Sequence, residues 1–183
     1  MVTMPGMGRL TLLAPLASAE ATVRELHASD AQLLADAANT VGRVRGYLPV
    51  PGSLAEAEAL LAEFESLRVA EMGNLFGVWG PGEAGLVGIA SIRLADPDAD
   101  VAEGAMWARP DRDSRYVMAH GMDLIVHEIH NSMRILRVWI SMDSLDPIAK
   151  HLLWATMFAK ESEVREADGG LTTRYSSIAG PKS

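Results

Sequence analysis

The chain has 183 residues, with 16 Lys and Arg against 24 Asp and Glu, a formal net charge of −8 and no cysteine. That length suits one domain with a full apolar core, and the missing cysteines exclude a disulfide framework, a thiolate zinc site and a cysteine nucleophile. The acidic balance argues against nonspecific nucleic-acid binding, which draws on clustered Lys and Arg, and no apolar run reaches the roughly 20 residues that span a bilayer.

Arg9, the apolar stretch Leu10 to Leu16 and Ala17-Ser18-Ala19 imitate a leader sequence, but Thr11 and Pro15 interrupt the stretch, so the cytoplasm is the default compartment. Residues 1–20 read as an N-terminal extension, 21–178 as a single domain and 179–183 as a tail. Ala21 to Leu26 alternates as a strand does, and Ser29-Asp30 offers an N-cap to a helix over 31–38. The stretch 43–52, RVRGYLPVPG, holds two prolines and two glycines and is a loop. Ser53 then opens a capping box with Glu56, followed by Leu60, Leu61, Phe64 and Leu67 at helical spacing.

Leu75 to Trp79 and Leu86 to Leu94 read as strands joined by the turn Gly80 to Gly85, and Val101 to Trp107 as a third. A charged loop, Ala108 to Tyr116, leads to a helix over Met118 to Met133, where Met118, Met122, Ile125, Val126, Ile129 and Met133 share one face. Arg137 to Met142 is a strand and Pro147 starts a further helix. Val164 to Ala167 and Leu171 to Tyr175 flank a hairpin turn at Asp168-Gly169-Gly170. The order β-α-α-β-β-β-α-β-α-β-β makes the chain α+β (mixed α/β).

Three motifs fail on context. Gly80-Pro81-Gly82-Glu83-Ala84-Gly85 fits G-x-G-x-x-G, but a strand follows where a dinucleotide site needs a helix N-terminus. Asp96, Asp98 and Asp100 have calcium-loop spacing, yet the sixth position is Val101 and the twelfth Trp107. His120, Asp123, His127 and His130 lie opposite the apolar stripe of their helix and read as a polar outer face rather than a metal site.

The segments VRELHASDAQLL, RGYLPVP followed by SLAEAEALL, FGVWGPGEAGLVGIASIRL, Glu103-Gly104-Ala105-Met106-Trp107, RVWISMD, Asp146-Pro147 and Met157-Phe158 occur in an order and spacing that resembles the GNAT superfamily of N-acetyltransferases. Within it they resemble the RimL/RimJ type that acetylates ribosomal-protein N-terminal alanines. The similarity runs from about Thr22 to Tyr175. It implies a splayed, mostly antiparallel mixed sheet flanked by helices, and transfer of an acyl group to a primary amine of a small molecule or protein N-terminus. The co-substrate implied is acetyl-CoA or another acyl-CoA, with no metal, no nucleic acid and no membrane partner, and a homodimer is left open. Met106, Trp107, Ala108 and Arg109 match the strand end that aligns the pantetheine arm. Arg112, Ser114, Arg115, Tyr116 and Val117 match the pyrophosphate loop. Glu103 holds the acidic position suited to a base. His151, in the helix that carries the acid of many members, is equally suited to a surface position. Tyr47, Leu48 and Pro49 match a loop on the acceptor side, and the resemblance predicts an opening lined by Met106, Trp107, Tyr116 and Trp154.

The chain also departs from that pattern. The R/Q-x-x-G-x-G/A loop has no counterpart glycine between Asp111 and Val117, and Asp146, Ala149 and Met157 replace familiar Asn, Ser and Gly. Arg112 and Arg115 can replace amide donors with guanidinium forks. They can equally be a solvated cluster paired with Asp111 and Asp113. The alternative to an acyltransferase is therefore a protein of this fold whose CoA site is reassigned or lost, acting in other biosynthetic chemistry or in noncatalytic binding.

Overall fold

In the computed structural model the described residues are 10–12, 14–39, 48–82, 85–96, 100–143, 158–165 and 170–179. Their alternating apolar stretches assemble one eight-stranded sheet in the order β1 (Leu16–Ala17), β2 (Thr22–Glu25), β3 (Gly73–Trp79), β4 (Gly88–Asp96), β5 (Val101–Ala108), β6 (Arg137–Asp143), β8 (Leu171–Ile178), β7 (Ala159–Arg165). Every neighbouring pair is antiparallel except β5 and β6, which run parallel. This is the mixed, mostly antiparallel α+β architecture expected. No helix among the described residues is long and apolar enough to cross a membrane.

The helices are α1 (Ala31–Ala38), α2 (Leu54–Val69) and α3 (Arg112–Asn131). Successive strand residues point to opposite faces, so each strand feeds two cores. Phe76, Val78, Ala90, Ile92, Met106 and Val138 pack with Met118, Met122, Ile125 and Ile129 of α3. Leu75, Ile89 and Trp107 pack on the other face with Leu34 of α1 and Leu60, Leu61 and Phe64 of α2. Within the stretch set apart as an extension, Leu16–Ala17 pairs with β2, and Leu10 is buried with its carbonyl bonded to Asn74 Nδ2.

Several boundaries differ from the sequence expectation, each for a local reason. Asp30 does not cap α1; its carboxylate turns back to the Arg24 guanidinium and the His27 N–H, and a single 3₁₀ turn, Ala28–Asp30, precedes the helix. The Ser53 hydroxyl does cap α2 through the Glu56 N–H, while the Glu56 carboxylate reaches the Gly52 N–H, one residue before the position the capping box assigns it. β4 starts at Gly88 rather than Leu86, and β7 at Ala159 rather than Val164. The helix expected from Pro147 and the turn at 168–169 lie outside the described residues.

The largest correction concerns α3. It starts at Arg112, not Met118, so most of the expected charged loop is helix. Asp111 is the reason: its backbone is extended and its carboxylate accepts the Ser114 N–H at 2.8 Å, which is N-cap geometry. His130 is a second correction. It lies in the core rather than on an outer face, because the chain after α3 folds back over the helix end. Its Nδ1 meets the Ile135 carbonyl at 2.7 Å and its Nε2 the Ser177 hydroxyl at 3.1 Å. A carbonyl only accepts, so Nδ1 carries a proton, and in the neutral ring the Ser177 hydroxyl donates to Nε2.

Candidate active site

The site is set by where β5 loses a neighbour. β5 pairs with β6 through Val101↔Arg137 to Gly104↔Ile140 and no further, although β5 stays paired with β4 as far as Ala108 and β6 with β8 as far as Asp143. The strands part there, leaving the edge of β5 from Ala105 to Ala108 without a strand partner among the described residues. Gly104 sits at the fork, where an added Cβ would lie 2.8 Å from Ile140 Cγ2 and 2.9 Å from Met122 Cε. A side chain here would have to push back the tips of Ile140 and Met122 in the α3-side core.

One residue before the fork stands Glu103. The register aligns Arg93 of β4, Glu103 of β5, Trp139 of β6 and Ser176 of β8 in one row across the sheet. Glu103 opens into a cavity of about 270 Å³ lined by Pro49, Glu63, Ser91, Arg93, Glu103 and Ala105. Arg93 is held there from two sides: its Nη2 is 2.8 Å from Glu63 Oε1, and its guanidinium lies 4.6 Å from the Phe64 ring centre. Further along the face the Arg174 guanidinium stacks 4.4 Å over Trp139. Beside Glu63 and Arg93, which form an ion pair, Glu103 is an additional carboxylate. That composition suits a cationic amine, which the carboxylate can hold and deprotonate.

Of the residues expected on the acceptor side, Pro49 lines this cavity, Leu48 is buried in the apolar cluster around Phe64, and Tyr47 lies outside the described residues. Glu63, Ser91 and Arg93 were not singled out in the sequence. The available signal was two polar residues at alternate positions of the otherwise apolar strand GIASIRL.

On the donor side, the side chains of Met106, Trp107 and Ala108 are buried, Met106 and Ala108 against α3 and Trp107 against α2. None of the three lines the cavity at Glu103. Trp154 and His151 lie outside the described residues. Tyr116 is exposed on α3 and meets the His120 ring edge-on at 4.4 Å, while Val117 is buried. Ser114 is also buried. Its hydroxyl accepts from Arg109 Nε at 3.1 Å, and Arg109 lies 3.7 Å from the Asp111 carboxylate. Arg112 is exposed and Arg115 half-buried, and among the described residues neither forms the ion pair with Asp111 or Asp113 that a solvated cluster would show.

The described fold is similar to that of solved acetyltransferases. The ribosomal-protein-S5-alanine acetyltransferase from Vibrio fischeri superimposes with a TM-score of 0.75 at 14% identity, over 91% of this chain and 97% of that one. The chain has the GNAT acetyltransferase fold. RimJ of Mycobacterium smegmatis, in complex with CoA-disulfide, gives a TM-score of 0.72 at 13% identity over 91% of this chain and 86% of that one. The microcin C7 self-immunity acetyltransferase MccE, in complex with acetyl-CoA and AMP, gives 0.73 at 13% over 87% and 92%. No family model and no curated protein matches the sequence. At these identities the GNAT likeness is one of fold, and the chemistry has to be argued from the residues of this chain.

Proposed function

We propose that the chain is an acyl-CoA-dependent N-acyltransferase acting on a primary amine of a small molecule or a peptide N-terminus. The observation that carries this reading is the placement of Glu103, in a polar cavity, one residue before the fork at which β5 frees its edge. An extended thioester arm laid along Ala105 to Ala108 meets unpaired strand backbone, which is the natural partner of an amide-containing chain. Its acyl carbon then lies beside the cavity that holds the amine.

An amine attacks a thioester only as the free base. Glu103 takes its proton, directly or through one water, as the C–N bond forms and the C–S bond breaks. The sulfur leaves as a thiolate; with an ordinary thiol pKa of about 8.5 it needs no strong acid, so the scheme does not depend on His151. Pro49, Glu63 and Arg93 flank the amine. Arg112 and Arg115, on the first turn of α3, are the cations that would meet a donor's phosphates there.

Titrating the protein with acetyl-CoA in a melting assay, and then assaying acetyl transfer to a panel of primary amines, tests the proposal. A melting shift followed by transfer supports it, and no shift with any pantetheine compound sinks it. A second reading, that the cleft performs other chemistry or noncatalytic binding, is favoured by one observation: the first turn of α3 is already capped from within.

A further inference from the structure

A helix N-terminus binds phosphate because its first N–H groups have no partner inside the helix. In α3 that capacity is largely used. The Ser114 N–H donates to Asp111 Oδ1 at 2.8 Å, and the Arg115 N–H to the Asp111 carbonyl at 3.3 Å. From Tyr116 onward each N–H belongs to the helical ladder. The N–H groups of Arg112 and Asp113 are left, beside the carboxylates of Asp111 and Asp113.

The Asp111 carboxylate is anchored as well as placed. Partial burial alone would raise its pKa, but the Ser114 N–H, the Ser114 hydroxyl and the charge of Arg109 outweigh burial and hold the carboxyl below its ordinary range. An anion therefore already sits on the turn at neutral pH. A diphosphate arriving there meets an occupied amide and a like charge, and the stretch from Asp111 to Val117 holds no glycine that would let the backbone present other amides. Among the described residues, no strand pairs with the edge of β5 from Ala105 to Ala108 on the β6 side.

We propose that Asp111 is a donor-selecting residue. It fills the place of a diphosphate at the head of α3, so the donor is recognised through its pantetheine arm, and acyl-CoA holds little advantage over a shorter pantetheine thioester. The proposal rests on the transferase reading and leaves its chemistry unchanged: in either donor the same C–S bond breaks, the thiolate stays on pantetheine, and the amine proton goes to Glu103. The arm can come from a free thioester or from phosphopantetheine tethered to a carrier protein.

Calorimetric binding of CoA, pantetheine and holo acyl carrier protein to the full chain tests this without an acceptor. Wild type should bind CoA and pantetheine within about threefold of each other, and Asp111→Gly should bind CoA at least about tenfold tighter, the size of one charge-assisted hydrogen bond, with pantetheine unchanged. Asp111→Asn keeps a good cap while removing the charge, so it guards against a folding failure; it should tighten CoA by about two- to fivefold. CoA binding about 100-fold tighter than pantetheine in wild type, or unaltered CoA affinity in both variants, would overturn the proposal while leaving the transferase reading intact. Binding of neither CoA nor pantetheine would overturn both. Within the supporting result, tighter binding of the holo carrier than of free pantetheine assigns the arm to a carrier, and equal binding assigns it to a free thioester.

Discussion

β5 is one strand with two unlike halves. Among the described residues it is hydrogen-bonded on both sides from Val101 to Gly104, and on one side only from Ala105 to Ala108. The doubly bonded half fixes Glu103 between Arg93 and Trp139, so a titratable group is held by a rigid scaffold and not by a loop. The singly bonded half gives up ladder hydrogen bonds, a cost that a fold tolerates where a ligand restores them. In the proposed scheme, base and donor edge need no separate elements: one strand that changes its neighbours would supply both within six residues, Glu103 to Ala108.

The sharpest way to separate the halves is Glu103→Gln. It keeps the shape and removes the carboxylate, so turnover should fall by about 10²–10⁴ while donor affinity is unchanged. Steady-state rates and acetyl-CoA binding on the same preparation check this. A matching loss of affinity would mean that the doubly bonded half also holds the donor, and the division would break down.

The second test addresses the open half through the strand behind it. An added Cβ at Gly88 would lie 2.4 Å from the Trp107 carbonyl oxygen and 2.8 Å from Met118 Sδ. A backbone oxygen cannot step aside as a side-chain tip can. Gly88→Ala should therefore destabilise the fold by about 1–3 kcal/mol, as overpacking does, and Gly104→Ala by less, because its neighbours are the tips of Ile140 and Met122. Urea unfolding at equal m values ranks the two, and the reverse ranking would show that the fork is the stiffer point.

The order of these elements was legible in the sequence because periodicity reports which face is buried: GIASIRL, RVWISMD and the Met118 to Ile129 stripe each have a single solution. What was hidden depended on partners distant in sequence. Arg93 and Glu63 become cavity walls only when the β4–β5 register and α2 bring them to Glu103. His130 read as polar because it shares an arc with His120, Asp123 and His127; Ile135 and Ser177, from outside its helix, hold it in the core. The start of α3 was misplaced for a local reason. The charged run from Arg109 to Arg115 looks like a loop, yet Asp111 is a strong N-cap and Asp113 suits the first turn of the helix dipole.

A control away from β5 separates stability from function. Arg24 and Asp30 form a two-pronged ion pair at 2.8 and 2.9 Å on β2 and the turn before α1. The Arg24 hydrogen bonds hold the Asp30 carboxyl below its ordinary value of 3.8, against the opposing effect of burial. A depressed carboxyl contributes stability that is fully present above the unfolded value and is lost as pH falls through the lower folded value. Asp30→Asn should cost about 0.5–1 kcal/mol at neutral pH, and the gap from wild type should close below pH 3.8. Turnover and the ratio of CoA to pantetheine affinity should not move. If they do, the opening is coupled to the sheet edge, and the two halves of β5 do not act as a local device.

The smallest effect is expected where charge alone would suggest a large one. Arg115 is half-buried on the first turn of α3 and has no ion-pair partner among the described residues, so its charge acts on a donor phosphate largely through solvent. Salt screens such an interaction over about 8–10 Å at physiological ionic strength, and exposed pairs contribute about 0–1 kcal/mol. With Asp111 already on the turn, Arg115→Ala should weaken CoA binding by about two- to threefold at low salt, with the difference vanishing near 0.5 M salt, where screening is nearly complete at this range. Pantetheine binding should be unaffected throughout. A loss of about tenfold or more that survives high salt would mean that a guanidinium fork grips the diphosphate directly. The open half of β5 would then work together with a charged site at α3, and the contrast between a charged acceptor side and a neutral donor edge would have to be redrawn.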